Sequence, residues 1–389
     1  MKKIKKISIL GATGTIGLNT IDVIRKNANH FKLVCVTAHK NIKSLKKIAK
    51  EFQPEFVIIT DESQKAKIKK SDFPRNSKIL FGEEGLLKAA TLPIADIIVS
   101  SLVGAAGIIP TIEAIKKGKT IALANKEVLV SAGEYISKKF PNEWKNKIIP
   151  IDSEHSAIAQ SLRGEAEKSI EKIILTASGG PFLNLPKTRF KKITPKQALA
   201  HPNWEMGQKI SIDSATMMNK GLEVMEAKWL FNVAPEQIEV LIHPQSIIHS
   251  MVQFCDGSII AQMNIADMRI PIQFALTYPE RISNNLPRVN FHKLQKFTFH
   301  KPDYGKFPLL KFAYKVLKLG NIFPSAMNAA NEIAVEAFLS KKITFDKIPI
   351  LVQDITLSFK KEKVLTLDAI LKTDKKARQE AKDWVQKNL

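Results

Sequence analysis

A chain of 389 residues with 44% hydrophobic and 25% charged residues is long enough for two or three cores, and its Gly and Pro content excludes a fibrous or disordered protein. Its net charge of +23 comes from 60 basic residues, only eight of them Arg; the Lys are scattered in pairs along the whole chain, so they read as a solvated surface, and no nucleic-acid or membrane partner is expected. Two cysteines, Cys35 and Cys255, exclude a disulfide framework or a cysteine metal site and point to a reducing, cytoplasmic compartment.

The start, MKKIKKISIL, is basic like a signal peptide, but its apolar stretch is short and runs straight into GATGTIG, so it reads as a strand. No segment approaches the roughly 18 uncharged apolar residues that span a bilayer. From residue 4 to about 150, KISIL, KLVCVTA, EFVIIT, SKILF, ADIIVSS, KTIALA and KIIPID each predict a strand. Amphipathic stretches such as TIGLNTIDVIRKN and NIKSLKKIAKEF lie between them, which predicts an α/β fold: a doubly wound, Rossmann-type parallel sheet over residues 1–150. After Asp152 the pattern changes: IEVLIHP, SIIHSMVQF and GSIIAQMNI predict an open, largely antiparallel sheet in an α+β catalytic domain over 151–283. Residues 284–308 lack periodicity and read as a linker, and 309–389 as a C-terminal helical domain.

ISILGATGTIGLNTIDVI places a strand, a glycine turn and a helix in succession, the context in which Gly11, Gly14 and Gly17 let the backbone approach a pyrophosphate. The spacing G-x-x-G-x-x-G departs from G-x-G-x-x-G. An NAD site usually carries an acid at the end of the second strand; here that strand ends in His39, Lys40 and Asn41. Lys40 is placed to meet a 2′-phosphate, so NADP is the expected cofactor.

In IDSEH, Asp152 and Glu154 stand two apart at an expected strand end, which puts both carboxylates on one face. The helix MMNKGLEVMEAKWL adds Glu223, on the same face as Asn219 and Lys220. Three carboxylates without His or Cys suit a hard divalent ion, Mg²⁺ or Mn²⁺. Between them TASGGPF and HPNWEMGQKISIDSATMMNKG supply Ser178, Ser214, Asn219 and Lys220, one point charge and several neutral donors for a phosphate ester, close to His201 and Trp204.

GATGTIG, LANKE, PIDSEHSA, TASGGPF, HPNWEMGQKISIDSATMMNKGLE, HPQSIIHSMV and DMRIPIQFALTYPER resemble, in order and spacing, the motifs of 1-deoxy-D-xylulose 5-phosphate reductoisomerases, over essentially the full chain. The resemblance implies rearrangement of 1-deoxy-D-xylulose 5-phosphate and its reduction by NADPH to 2-C-methyl-D-erythritol 4-phosphate, in non-mevalonate isoprenoid biosynthesis. It implies that Asp152, Glu154 and Glu223 hold Mg²⁺, Mn²⁺ or Co²⁺, and that Lys126 and Ser153 contact substrate hydroxyls. By the same likeness Ser178, His201, Ser214, Asn219 and Lys220 bind the substrate, chiefly its phosphate, under Trp204 on a mobile loop over 180–208. Thr13, Gly14, Thr15, Ile16, Lys40, Asn41, Asn125, Glu127 and Gly207 match cofactor-contacting positions. His39, on the same cofactor side, stands where the family usually has Gly, Glu205 where a small residue is usual, and Gln208 where a basic one is frequent. The family is homodimeric, so a second copy is the expected partner.

Three other readings compete. Tyr135 and Lys139 in YISKK form the Y-x-x-x-K pair of a short-chain dehydrogenase, which leaves the acids and HPNWEMG unexplained. A semialdehyde dehydrogenase shares a GATG-type turn but needs a nucleophilic cysteine, and Cys35 lies inside the second strand while Cys255 precedes a DG turn. A nucleic-acid-binding protein rests on the charge alone.

Overall fold

Each of the seven apolar runs before residue 152 forms a strand in the computed structural model, which describes residues 4–144, 147–202, 204 and 206–388. In chain order these are β1 (Lys5–Leu10), α1 (Thr15–Lys26), β2 (Phe31–Ala38), α2 (Ile42–Phe52), β3 (Phe56–Ile59), β4 (Lys78–Phe81) and α3 (Gly82–Thr91). Next come β5 (Ile97–Ser100), α4 (Ile108–Lys116), β6 (Thr120–Leu123), α5 (Glu127–Lys139), α6 (Pro141–Trp144), β7 (Ile148–Pro150) and α7 (Ser153–Ser161). The middle of the chain forms β8 (Ile170–Ala177), α8 (Pro195–Leu199), α9 (Gln208–Ala215), α10 (Met218–Phe231), β9 (Ile238–Ile242), β10 (Ile248–Phe254) and β11 (Ile259–Met263). The remainder is helical: α11 (Arg269–Thr277), α12 (Phe291–Leu294), α13 (Pro308–Leu319), α14 (Phe323–Leu339), α15 (Ile348–Ser358) and α16 (Leu367–Lys387). Among the described residues no helix is long and apolar enough to cross a membrane.

The chain divides into two compact units, the first made of Met1–Asn125, Lys139–Ser156 and Asp267–Asn284. Its seven strands pair in the order β4-β3-β2-β1-β5-β6-β7, every pairing parallel. The order reverses between β1 and β5, so the glycine turn after β1 stands at the switch point where doubly wound sheets bind ligands. Runs such as Ile7, Ile9, Val36, Ile59 and Val99 are buried because helices cover both faces of the sheet.

Residues 267–283, expected in the second domain, return to this first unit. Ile272, Ala275 and Leu276 of α11 enter its core. Arg269 ties α11 to α1 through Asp22 at 3.0 Å, and Lys5 Nζ donates to the Leu276 and Tyr278 carbonyls at 3.0 Å each, satisfying the helix end.

The second unit comprises Lys126–Lys138, Ala157–Ala266 and Asn285–Leu389. Its sheet has the order β11-β10-β8-β9; β10 is antiparallel to both neighbours and β9 parallel to β8. The helices expected over 309–389 form, and their apolar residues join the core of the second unit. Leu309, Leu310 and Ala313 of α13 and Ala326, Ala330 and Ala334 of α14 share one core with Leu222 and Met225 of α10 and with Ile173 and Leu175 of β8. The physical reason is that these helices carry wide apolar faces: α14 buries residues around most of its circumference, and such a helix is stable only inside a larger core.

Candidate active site

In the first unit the turn after β1 is built for close approach. Gly11 adopts φ 90°, its N–H donates to Thr37 Oγ1 at 2.8 Å, and a Cβ there would lie 2.7 Å from the Ser101 carbonyl oxygen. A Cβ on Gly17 would lie 2.6 Å from Ala12 Cα, so only glycine lets α1 pack onto the turn. Gly14 is the N-cap of α1, with no side-chain cap and no acid in the first turn. The amides of Thr15 and Ile16 thus head a helix that offers its positive end to an anion. Thr13 lies in the same turn, so the four residues form one cradle.

His39 and Lys40 are exposed just past β2, and the charge of His39 acts on Asp61, beyond the end of β3. The His39 imidazole is 3.1 Å from Thr60 Oγ1. Asn41 also serves the fold, since its Oδ1 accepts from Ser44 N–H at 3.1 Å and caps α2. Asp61, the nearest acid beyond β3, is held below the usual carboxylate range chiefly by Ser63, whose hydroxyl and N–H it accepts while capping the next turn. Buried Asn125 donates to the Leu102 and Gly104 carbonyls at 2.6 and 3.0 Å, joining the ends of β5 and β6.

Asp152 and Glu154 do not alternate along a strand. β7 stops at Pro150, and the residues after it turn into α7, whose first residue is Ser153. Asp152 Oδ1 accepts from Glu154 N–H at 3.2 Å and lies 3.0 Å from His155 Nδ1, while Ser153 Oγ donates to Glu154 Oε2 at 2.5 Å. Helix capping, not strand pleat, brings these two carboxylates side by side. The reason is local: Asp followed by Ser-Glu-His is a helix-start signal, and capping outcompetes the extended chain.

In the second unit the predicted face of α10 forms. Lys220 Nζ donates to Glu223 Oε2 and Asn219 Nδ2 to Glu223 Oε1, one helical turn apart. Lys126 Nζ adds bonds to Asn219 Oδ1 at 2.9 Å and Glu223 Oε1 at 3.4 Å. Glu223 is 1% exposed, so its charge is offset by two ammonium groups instead of by water.

Ser178, expected near phosphate, follows β8 and pairs with His201: the ring Nε2 is 3.0 Å from Ser178 Oγ, and Nδ1 accepts from the Trp204 N–H at 3.0 Å. An accepting Nδ1 places the proton of the neutral ring on Nε2, which then donates to Ser178. The Trp204 indole meets the His249 ring edge-on at 6.1 Å. Gly180, two residues after Ser178, packs so closely on α9 that a Cβ would lie 2.7 Å from the Ser214 carbonyl oxygen. The segment 180–208 is anchored over its first part, where Phe182, Phe190 and Ile193 are buried against Phe345 and Phe307. Gly207 and Gln208 at its far end are exposed, and Glu205 lies outside the described residues.

Glu127 heads α5 and accepts from Lys209 Nζ at 2.8 Å. Lys209 and His155 are the site-adjacent residues that sequence reasoning missed. A lysine in the first turn of a helix reads as solvent-facing, and nothing in the one-dimensional pattern signals its burial.

Comparison with known proteins gives a consistent result. Family models described as 1-deoxy-D-xylulose 5-phosphate reductoisomerase, its C-terminal domain, and DXP reductoisomerase C-terminal domain match residues 7–133, 148–231 and 263–380. A 1-deoxy-D-xylulose 5-phosphate reductoisomerase of Clostridium perfringens is 50% identical over 96% of this chain and 98% of its own. One from Chlorobaculum tepidum is 47% identical over 98% of this chain and 100% of its own. Among solved structures, the Zymomonas mobilis reductoisomerase in complex with NADPH is 40% identical with a TM-score of 0.91, covering 98% of this chain and 99% of that one. A DOX-P reductoisomerase complex with NADPH, fosmidomycin and magnesium also gives 40% and 0.91, covering 98% of each chain.

Proposed function

This chain belongs to the 1-deoxy-D-xylulose 5-phosphate reductoisomerase family, and from that premise we propose how its own residues divide the reaction. The protein is an NADP-dependent oxidoreductase that rearranges and reduces 1-deoxy-D-xylulose 5-phosphate to 2-C-methyl-D-erythritol 4-phosphate with NADPH and a divalent metal. When bound, the metal supplies Lewis-acid stabilisation of negative charge on the substrate oxygens, and NADPH supplies the hydride.

Thr13, Gly14, Thr15 and Ile16 hold the cofactor pyrophosphate on the amides of α1. Lys40 meets the 2′-phosphate beside His39 and Asn41, and Asn125, Glu127 and Gly207 take the nicotinamide end. Asp152, Glu154 and Glu223 are the metal ligands: the donor set is all oxygen, as a hard ion requires. Lys126 and Ser153 orient the substrate hydroxyls. Ser178, Ser214, Asn219 and Lys220 bind the phosphate, with His201 presenting its Nε2 proton through Ser178. Trp204 and the end of the 180–208 segment cover the substrate and keep water from the aldehyde before hydride arrives.

The observation that carries this division is the buried face of α10, where Asn219, Lys220 and Glu223 meet Lys126. A Tyr135/Lys139 dehydrogenase is not favoured, since both residues lie towards the end of α5 and Lys139 is exposed. The working molecule is a homodimer. The exposed edge strand β11, with Ile259, Ile260 and Met263 bare, supports a second copy as the partner. Its compartment is the cytoplasm, in keeping with two cysteines that are both free thiols, Cys35 buried and Cys255 exposed.

The test is anaerobic loss of NADPH absorbance with deoxyxylulose phosphate. Oxidation should need both the sugar phosphate and Mg²⁺ or Mn²⁺; turnover that survives exhaustive chelation would overturn the metal assignment.

A further inference from the structure

Lys209 sits in the first turn of α9, where the helix dipole disfavours a cation, and its side chain is only 21% exposed. A lysine in that position needs compensation, and among the described residues it has two direct partners. Its Nζ is 2.8 Å from Glu127 Oε1 on α5 and 2.8 Å from Asp213 Oδ2 one turn further along α9. Burial opposes the ammonium charge, yet the fields of Asp213, Glu127 and Glu332 outweigh it and hold Lys209 above the ordinary lysine range. Burial likewise opposes the Glu127 carboxylate, and Lys209 keeps it below the usual range.

The arrangement continues into the C-terminal helices. Asp213 Oδ1 accepts from Asn331 Nδ2 of α14 at 2.8 Å. Next to it on α14, Glu332 accepts from Asn328 Nδ2 at 2.9 Å and pairs with Arg378 of α16 at 2.8 Å. Arg378 is itself held by Asp374, at 2.8 and 3.0 Å. Every member of this chain of charges lies within the second unit.

We propose that Lys209 is a positioning residue for NADPH: it fixes the Glu127 carboxylate for a cofactor hydroxyl and ties the end of the 180–208 segment to α14 through Asp213. The proposal rests on Glu127 and Gly207 being cofactor contacts. A carboxylate that accepts from one ammonium on Oε1 keeps lone pairs for a hydroxyl donor, and its direction is set by that ammonium. Gly207 and Lys209 belong to the same helical turn, so holding Lys209 also holds the Gly207 backbone. The C-terminal helices thereby bear on the Glu127 carboxylate through Asn331, Asp213 and Lys209.

NADPH affinity of the full-length protein, read by quenching of tryptophan fluorescence, tests this without turnover. Lys209→Met should weaken NADPH binding about tenfold, and Lys209→Arg should restore most of the loss. The KM for the sugar phosphate should stay within about twofold, because the ammonium of Lys209 is bonded to Glu127 and Asp213, neither of them a proposed phosphate ligand. Because a single cut leaves buried acids unpaired, the double variant Glu127→Gln/Lys209→Met carries the test if Lys209→Met does not fold. Its NADPH affinity should match that of Glu127→Gln. A further loss of about tenfold in the double variant would show that Lys209 acts independently of Glu127 and overturn the proposal. So would a Lys209→Met protein of lowered Tm and unchanged NADPH affinity. If Glu127→Gln itself binds NADPH as the wild type does, the cofactor assignment of Glu127 fails instead.

Discussion

Replacing Gly17 with Ala puts a methyl group where the backbone of the glycine turn already stands. The new Cβ would lie 2.6 Å from both Cα and C of Ala12, against 3.4 Å for ordinary contact, an overlap that no side-chain rotation relieves. Helix α1 must back away from the turn by something on the order of the overlap, and overpacking of this kind costs about 1–3 kcal/mol. Overlap with backbone atoms belongs at the top of that range, and the better helix propensity of Ala returns up to about 1 kcal/mol, which leaves about 2 kcal/mol net. At about 2–4 °C per kcal/mol, Tm should fall by roughly 4–8 °C. The N-terminal amides move with the helix, so NADPH affinity should drop about tenfold, the worth of one helix-end interaction with an anion. Gly14→Ala is the control for the same turn. Its Cβ would lie 3.6 Å from the Gly11 oxygen and its φ of −81° suits alanine, so the fold should tolerate it. A methyl at the N-cap still enters the proposed pyrophosphate cradle, and NADPH affinity should suffer more than Tm does. Differential scanning fluorimetry and NADPH titration read both quantities. Wild-type Tm and NADPH affinity in Gly17→Ala would refute the close packing of helix on turn, and a larger Tm loss in Gly14→Ala would refute the ranking.

Glu223→Gln keeps the shape of the α10 face and removes one charge of the proposed metal-ligand set; kcat/KM should fall by about three orders of magnitude with NADPH affinity unchanged, as turnover and titration would show. Arg269→Gln removes the shared partner of Asp22 and Asp267 and should cost about 1–2 kcal/mol at pH 7. Burial opposes both carboxylates, but Lys26 and Arg269 hold Asp22, and Arg269 holds Asp267, below the ordinary range. Groups depressed in the folded state stabilise above their unfolded pKa, so the difference between wild type and variant in urea titrations should shrink as pH falls below about 4. If β11 pairs two copies as proposed, Ile260→Glu should halve the mass seen by light scattering, since a charge on an exposed strand edge blocks edge-to-edge pairing.

The first unit was legible because its strands are buried on both faces: runs such as ISIL, VIIT and IIVS are continuous, and the breaks between them carry turn residues. The return of 267–284 to that unit was not legible. DMRIPIQFALTYPER is an ordinary amphipathic helix in sequence, and which core receives its Ile272 and Leu276 is decided by tertiary partners such as Asp22 and Lys5. The same holds for α13 and α14, whose apolar residues announced helices but not a shared core with β8. At the site, spacing alone delivered the α10 face, because one helical turn brings Asn219, Lys220 and Glu223 together whatever the fold. It misread Asp152 and Glu154, where Asp152 itself caps a helix and the strand ends at Pro150. Lys209 was invisible for a different reason: its meaning lies in Glu127 and Asp213, one of them 82 residues away.

The polar residues of the second unit are joined in short groups, and this bears on how the contribution of each residue is to be weighed. Lys126, Asn219, Lys220 and Glu223 form one group, Ser178, His201 and Trp204 a second, and Glu127, Lys209 and Asp213 a third. Within a group, removing one member leaves its partner's charge or hydrogen bond uncompensated in a buried place, so the cost of a single deletion includes that penalty. A loss of activity on deleting Lys220 therefore reports on Glu223 as much as on phosphate binding, because the ammonium serves both. The three groups are built on different partners, and losses between them should come closer to adding. The geometry thus sorts the proposed ligands into sets: substitutions within a group are to be read together, the first group serving the proposed metal and phosphate sites at once, and substitutions in different groups come closer to separate contributions.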